Sequence, residues 1–363
     1  MNRIAVIGIG RLGLCFALNL ERIGYHVIGI DLNQDYIDEL NAKSFKSFEP
    51  DLESYLNKST KFKASIDFNL VLEETIEMIF CVVPTPSLQD GSFSHEYIDN
   101  VANLILQSPK PKNRKHLIIA CTTMPGYCDL LAERLEEHNY SVNYNPEFIA
   151  QGTIIRDQQN PDQILIGEGS ELATEHLRTI YGKMCDSNPQ IHVMSRKSAE
   201  ITKLATNCFL TMKISFANSI GDLAITNGGE PEKILKAIGA DSRIGGKYLN
   251  YGFGFGGPCF PRDNKALVAF ASHLNQEIPL SKATIEVNSK HLDFQLNELI
   301  KENRKEYIFD SVTYKKGTDI IEESQQLLLA AKLVDAGKKV IVKNSEAIRG
   351  IIESKYPNYF TFT

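Results

Sequence analysis

The residues of this chain whose types and spacing could do chemistry fall in a few short stretches. In IAVIGIGRLG, residues 4–13, Gly8, Gly10 and Gly13 form G-x-G-x-x-G between a β-rich apolar run and a helical pattern, and Asp31 closes the next such run, HVIGID. Each position has a physical task. The first glycine turns the chain, the second lets a diphosphate approach backbone N–H groups at a helix N-terminus, and the third lets helix and strand pack closely. Asp31 would accept hydrogen bonds from the adenosine ribose hydroxyls and repel a 2′-phosphate, so the pattern predicts NAD rather than NADP. A tight βα turn without a ligand is the alternative. The second stretch, GFGFGGPCFPRDN at 252–264, crowds glycines and two prolines around Cys259, with Asp263 four residues on. Glycines precede this thiol where packing would want side chains.

Further groups lie between these stretches. Thr85-Pro86 in VVPTPS and Thr122-Thr123 in CTTMPG stand at carboxyl ends of strand patterns, the edge where a doubly wound sheet binds its ligand. Glu147 stands in YNPEFIAQG, and Lys203 and Asn207 are four apart in AEITKLATNCF, so on a helix they share one face. Taken singly, these residues have plain readings: a solvated helix face for Lys203 and Asn207, and a turn cap after Pro146 for Glu147.

The elements that must position these groups follow from periodicity. Residues 4–7, 27–30, 79–83 and 117–121 are short apolar β-rich runs separated by helical patterns at 12–23 and 94–107, an alternation that predicts a doubly wound parallel sheet. Strand patterns at 142–144 and 163–167 extend it to about residue 195. Helical spacing over 198–226 and again over about 264–303 makes the middle of the chain mostly helix. After Lys305, a strand pattern at 307–309, a helix at 324–336 and a strand at 339–342 predict a second, smaller α/β unit that ends early, at Thr363.

Composition narrows the function classes. The 363 residues, 43% hydrophobic and 23% charged, suffice for two or three domains. A formal charge of −6 without a dense Lys/Arg block argues against nucleic acid as a partner, and no run approaches the ~20 apolar residues of a membrane span. The N-terminus enters a strand pattern without a leader, which predicts a cytoplasmic location. Seven scattered cysteines without a CxxC pair predict free thiols, with Cys15 and Cys208 in apolar helices and Cys81 and Cys121 in apolar strands. The eight histidines show no HExxH or paired spacing, so no metal site is expected.

Taken in order, G-x-G-x-x-G, the TP and T-x-P strand ends, NPEF, the E-x-x-K-x-x-x-N helix from Glu200 to Asn207, DxRIG from Asp241 to Gly245 and FGGxCFPxD resemble the UDP-glucose/GDP-mannose dehydrogenase family over about residues 1–325. That resemblance implies an N-terminal Rossmann domain (1–196), a central helical dimerisation and catalytic domain with a long connecting helix (197–292), and a shortened, Rossmann-like C-terminal nucleotide-sugar-binding domain (293–363). It implies four-electron oxidation of the C6 hydroxymethyl of a nucleotide sugar by two NAD+ in succession, with homodimers or multiples of dimers as the assembly. UDP-glucose going to UDP-glucuronate for polysaccharide synthesis is favoured; UDP-N-acetylhexosamines and GDP-mannose stay open. The alternatives are a two-electron NAD-dependent dehydrogenase and a non-catalytic nucleotide-sugar-binding homologue.

The resemblance also implies roles. An aldehyde cannot give a second hydride until a nucleophile makes it tetrahedral, and Cys259 would do so through a thiohemiacetal and then a thioester. Lys203 and Asn207 would stabilise the oxyanions, Asp263 would orient Lys203 or relay protons, Glu147 would act as base for thioester hydrolysis and Thr123 would hold the water. Cofactor contacts are implied for Gly8, Gly10, Arg11, Leu12, Gly13, Asp31, Thr85, Pro86 and Thr123. Substrate contacts are implied for Glu147, Phe148, Gln151, Lys203, Asn207, Tyr248 and Gly256, with Gly254, Gly256 and Gly257 leaving room for the sugar. Arg243, Lys247 and Lys315 are the cations expected at the diphosphate, Arg243 from the neighbouring subunit. The chain departs from the family pattern at Gln151, Arg262, Gly126, Ser311 and Glu322, which stand where Glu, Lys, an extra residue, Gly and Arg are usual.

Overall fold

The computed structural model describes residues 2–149 and 151–363, which divide into two compact units, one ending at Lys203 and the other running from Leu204 to Thr363. The first unit opens with β1 (Arg3–Ile7), α1 (Arg11–Arg22), β2 (His26–Ile30), α2 (Gln34–Asn41), α3 (Leu52–Lys58), β3 (Phe62–Ser65), α4 (Asn69–Leu72) and β4 (Ile76–Cys81). It continues with α5 (Glu96–Gln107), β5 (Lys115–Ile119), α6 (Tyr127–Glu136), β6 (Tyr140–Tyr144), α7 (Ile154–Gln159), β7 (Gln163–Glu168), α8 (Glu171–Met184) and β8 (Gln190–Ser195). The strand order β3-β2-β1-β4-β5-β6-β7-β8 reverses direction between β1 and β4, which is the Rossmann switch point. Alternation places the core on both faces. Ile4, Val6, Met78 and Phe80 pack under α1 and α8 with Leu14, Leu18 and Leu177, while Ala5, Ile7, Ile79 and Leu117 pack under α5 and α6 with Ile98, Ile105 and Leu131.

Three details differ from the expectation for this sheet. β7 runs antiparallel to β6 through the pair Tyr144 and Gly167, so the extension is mixed rather than parallel. β4 and β5 end two residues early, at Cys81 and Ile119, with Ala120 N–H still bonded to Cys81 O just past the strand end. Cys121 therefore lies in the loop after β5, not in a strand.

The helix α9 (Arg196–Thr226) runs on into the second unit, followed by α10 (Pro231–Gly239), α11 (Phe260–His273) and α12 (Pro279–Lys301). The helical stretch expected at about 264–303 is two helices: Asn275 takes a left-handed φ of 54° after α11, and Pro279 starts α12 afresh. The chain finishes with β9 (Glu306–Phe309), α13 (Gln325–Asp335), β10 (Lys339–Val342), α14 (Glu346–Lys355) and β11 (Thr361–Phe362). These three strands form a parallel sheet in the order β11-β10-β9, built over Val312, Leu327, Leu333, Val340 and Ile352. All its crossovers lie on one side of β9. Among the described residues this small sheet thus has no reversal of strand order, and the crevice that such a reversal opens in larger sheets is not formed there.

Candidate active site

At the β1/β4 switch point the three glycines of the first motif have separable reasons. Gly8 has φ 83°, and a Cβ on it would lie 2.7 Å from Val82 O; a Cβ on Gly13 would lie 2.0 Å from Gly8 O. Both are dictated by the chain's own backbone. A Cβ on Gly10 would meet nothing within 4 Å. Gly10 caps α1 with no side-chain acceptor, so the open ground before this helix N-terminus fits a diphosphate on backbone N–H groups. Asp31, at the end of β2, accepts from Leu32 N–H through Oδ1 at 2.8 Å, which orients the carboxylate for a ribose diol. The residues present therefore fit NAD. Arg11, the first residue of α1, donates to Gln151 Oε1 at 3.1 Å and so joins the glycine turn to the NPEF loop.

The threonines at the strand ends are committed to the protein. Thr85 Oγ1 donates to Thr122 O at 2.9 Å. Thr123 is wholly enclosed and donates to Glu200 Oε1 at 2.8 Å, so its hydroxyl faces a protein carboxylate and not the open cleft expected of a water-holding group. Glu200 itself escaped the sequence reading except as part of a motif. Fully buried, it also accepts from Gly126 N–H at 2.6 Å and Cys128 N–H at 3.0 Å, capping α6 from another helix. Burial raises its pKa, and these bonds oppose that. His95 stacks on Tyr127 at 3.7 Å and accepts from Met124 N–H at 3.1 Å; burial lowers its pKa to about 4, which keeps the ring neutral as an acceptor. Glu49, also unforeseen, accepts from Gly152 and Ile154 N–H at 2.8 and 2.6 Å, tying down the end of the NPEF loop.

Glu147 and Lys203 meet at that loop. Lys203 is 7% exposed, donates to the Glu147 carbonyl at 2.7 Å and sits 4.4 Å over the Phe148 ring. The Glu147 carboxyl accepts from Gln158 Nε2 at 2.8 Å. Burial raises its pKa from 4.5 to about 7, against the lowering effects of Gln158 and Lys203. A pocket of ≈ 20 Å³, enough for about one water, is lined by Glu147, Gln158 and Tyr181.

One turn beyond Lys203 on α9, Asn207 donates to Asp263 Oδ2 at 2.6 Å, and both side chains are buried. Asp263 is in the first turn of α11, and its N–H bonds to the carbonyl of Cys259, the residue at the N-cap. Cys259 is exposed at this helix N-terminus. The glycines before it do not clear space for a ligand as expected. A Cβ on Gly254 would lie 2.3 Å from Asn288 Oδ1, on Gly256 2.1 Å from Glu323 O, and on Gly257 2.4 Å from the Tyr314 ring. They are small because the protein's own atoms press on the loop. The neighbouring Gly257 N–H bonds to the carbonyl of Glu322, the position where a cation was expected.

Arg243 is highly exposed, and its guanidinium is clasped by Asp241 at 2.7 and 3.0 Å. Lys315 follows Tyr314 in a turn closed by Thr313 and Thr318, whose hydroxyls donate to its carbonyl. Tyr248 takes a left-handed φ of 63°, and its ring packs edge-on to Phe260 next to the cysteine. Ser311 closes the turn after β9, receiving bonds from Thr313 N–H and Asn344 Nδ2.

The glycine turn at the switch point, the open helix N-terminus after it and Asp31 at the end of β2 define an NAD-binding Rossmann protein. The chain matches the NAD-binding domain of the UDP-glucose/GDP-mannose dehydrogenase family over residues 2–185 and its central domain over 197–290. It is 33% identical to a UDP-glucose 6-dehydrogenase of Bacillus subtilis over 91% of this chain and 76% of that protein. A second such enzyme, from Haloferax volcanii, is 30% identical over 93% of this chain and 82% of the other. The solved UDP-glucose dehydrogenase of Pyrobaculum islandicum superposes with a TM-score of 0.91 at 30% identity, covering 100% of this chain and 86% of that one. The chain belongs to the UDP-glucose/GDP-mannose dehydrogenase family and is an NAD-dependent nucleotide-sugar dehydrogenase.

Proposed function

We propose that the chain oxidises C6 of UDP-glucose to the carboxylate, giving UDP-glucuronate, with Cys259 as the covalent nucleophile. The relatives named above support the substrate, and the exposed thiol at the head of α11 carries the chemistry. NAD+ in the glycine turn supplies the hydride acceptor, once for each two-electron step. Lys203, held by the Glu147 carbonyl, and Asn207, held by Asp263, stabilise the alkoxide and the tetrahedral oxyanions. The Cys259 thiolate adds to the aldehyde carbon, and loss of the second hydride leaves a thioester. Glu147 takes a proton from water as it attacks this thioester; the C–S bond breaks, the thiolate leaves and the carboxylate is released. Thr123, acting through Glu200, is a positioning residue in this scheme and does not touch the water.

The three-domain division at 196 and 292 and the roles of Phe148, Gln151, Tyr248, Gly256, Arg243 and Lys315 at the substrate belong to the same proposal. A homodimer is supported by Phe209, Phe216 and Leu223, large apolar residues seven apart on α9 that are 59%, 47% and 65% exposed. Arg243 would then leave Asp241 for the neighbouring subunit's substrate. Among the described residues no cysteine is joined in a disulfide, which suits the reducing cytoplasm, and no helix is long and apolar enough to cross a membrane.

Mixing the protein with NAD+ and a panel of UDP- and GDP-sugars tests this directly. Two NADH per UDP-glucose are expected. One NADH per sugar refutes the covalent course, and a greater kcat/KM on another sugar refutes the substrate assignment.

A further inference from the structure

The loop from Asn250 to Pro258 belongs to neither a helix nor a strand, so its backbone polar groups need partners elsewhere. Side chains of α9 and α12 supply them. Asn218 accepts from Gly252 N–H at 3.1 Å and donates to Phe253 O at 3.4 Å, while Asn288 accepts from Phe255 N–H at 2.8 Å and donates to Phe255 O at 2.9 Å. The Gly252 carbonyl receives His291 Nε2 at 2.7 Å and Gln295 Nε2 at 3.2 Å.

His291 stands out in this set. It is 2% exposed, and its Nδ1 lies 2.9 and 2.8 Å from the two oxygens of Asp222. A peptide carbonyl can only accept, so Nε2 must carry a hydrogen. Asp222, which already accepts from Tyr251 OH, faces Nδ1 with both oxygens, an arrangement suited to a hydrogen on that nitrogen as well. Tyr251 OH occupies Asp222 Oδ1 as a donor at 2.9 Å, and its ring meets the imidazole edge-on at 5.6 Å. Burial, then Asp222, push the Tyr251 phenol pKa up and keep it a donor; Glu298 acts on the same phenol in that direction. The carboxylates that act on the Tyr251 phenol are thus Asp222 and Glu298, and Glu302 and Arg304 line the same cavity as Tyr251, Gln295 and Glu298.

We propose that His291 is a doubly protonated positioning residue: paired with Asp222 through one nitrogen, it fixes the Gly252 carbonyl with the other and so sets where the loop presents Cys259. The proposal rests on Cys259 being the nucleophile only for its effect on turnover, not for the protonation state.

Long-range 1H–15N spectra of the full chain labelled at histidine test the protonation without any variant. Both nitrogens of one buried ring should bear hydrogen at neutral pH, and that signal should vanish in His291→Gln. In the same variant kcat should fall about 10- to 100-fold, the scale of one lost charge-assisted bond. The rate of Cys259 alkylation by iodoacetamide should change in parallel, with KM for NAD+ within about twofold because the cofactor turn lies in the other unit. Asp222→Asn, which leaves Nε2–H to hold Gly252 while removing the hydrogen from Nδ1, should lose less turnover than His291→Gln. A ring bearing one hydrogen in the parent protein overturns the assignment, as does a His291→Gln enzyme with parental kcat and alkylation rate. Full four-electron turnover by Cys259→Ser would instead defeat the nucleophile reading while leaving the spectral result standing.

Discussion

Replacing Glu147 with glutamine should separate the chemistry of this carboxyl from its effect on the fold. Its pKa is 4.5 in an unstructured chain and about 7 here, because burial outweighs the help of Gln158 and Lys203. A carboxyl whose pKa is raised by folding favours the fold only while protonated. That advantage is complete below about pH 4.5 and is lost as the pH rises through about 7. The distance from 4.5 to about 7, at about 1.36 kcal/mol for each pH unit, gives an upper bound of about 3 kcal/mol between the two limits. Glutamine has no charge to desolvate, and its carbonyl can still accept from Gln158 Nε2, now 2.8 Å from Glu147 Oε2. Glu147→Gln should therefore unfold at higher denaturant concentration than the parent at pH 8, by up to about 3 kcal/mol, and match it near pH 4.5. Turnover should drop about 10²- to 10⁴-fold, the usual contribution of a general base. Rapid mixing should show two NADH formed per site in a burst that then stalls, with a Cys259 acyl adduct visible by intact mass. The parental rate of acid release should rise with pH through about 7, as the carboxyl ionises into a base. A variant that turns over at the parental rate, or that is less stable than the parent at pH 8, refutes the assignment.

Two contrasts test other parts of the site. Gly10→Ala should fold normally, since its Cβ meets no protein atom, yet bind NAD+ at least about tenfold more weakly by calorimetry; Gly13→Ala, whose Cβ would sit 2.0 Å from Gly8 O, should lose fold stability by about 2 kcal/mol or more in chemical denaturation. Glu200→Ala leaves Gly126 N–H, Cys128 N–H and the Thr123 hydroxyl without their buried acceptor, so it should cost about 3 kcal/mol or more of stability, whereas Glu200→Gln, which retains an acceptor oxygen, should cost less; equal losses would mean that the carboxylate's bonds do not hold this turn.

Much of this was legible because some positions admit one residue type. Gly8 and Gly13 are dictated by backbone contacts, while a Cβ on Gly10 would meet nothing, which leaves the ground before α1 open. Apolar periodicity found the central strands of the large sheet but ran two residues past β4 and β5, where Val82, Val83 and Ala120 stay apolar in the loops that follow. It missed β3, an edge strand with one buried residue in four, and it fused α11 with α12 because Leu274 and Ile278 continue the apolar spacing across the break. Asn275 before Pro279 was the readable sign of that break. Partners far apart in sequence were not legible at all. Glu200 lies 77 residues from Thr123, and His291 lies 69 from Asp222; neither type announces a role by its local pattern.

The glycines of the cysteine loop show why a correct motif can carry the wrong physical reason. Their bareness suggested room for a sugar, whereas Asn288, the Glu323 carbonyl and Tyr314 occupy the directions in which side chains would grow. A nucleophile that must meet first an aldehyde and later surrender a thioester gains from being held in one place throughout, because effective concentration falls quickly with misalignment. A loop cannot achieve this through a backbone ladder of its own. Here α9 and α12 provide amide and imidazole side chains from one side, while residues 314–323 close on the glycines from the other. The C-terminal sheet has no switch point among the described residues, yet the segment between β9 and α13 packs directly on the glycines that precede Cys259. Changes in that segment should be felt first in the placement of Cys259 and only second in nucleotide contacts, which makes its carbonyls, more than its side-chain charges, the feature to preserve.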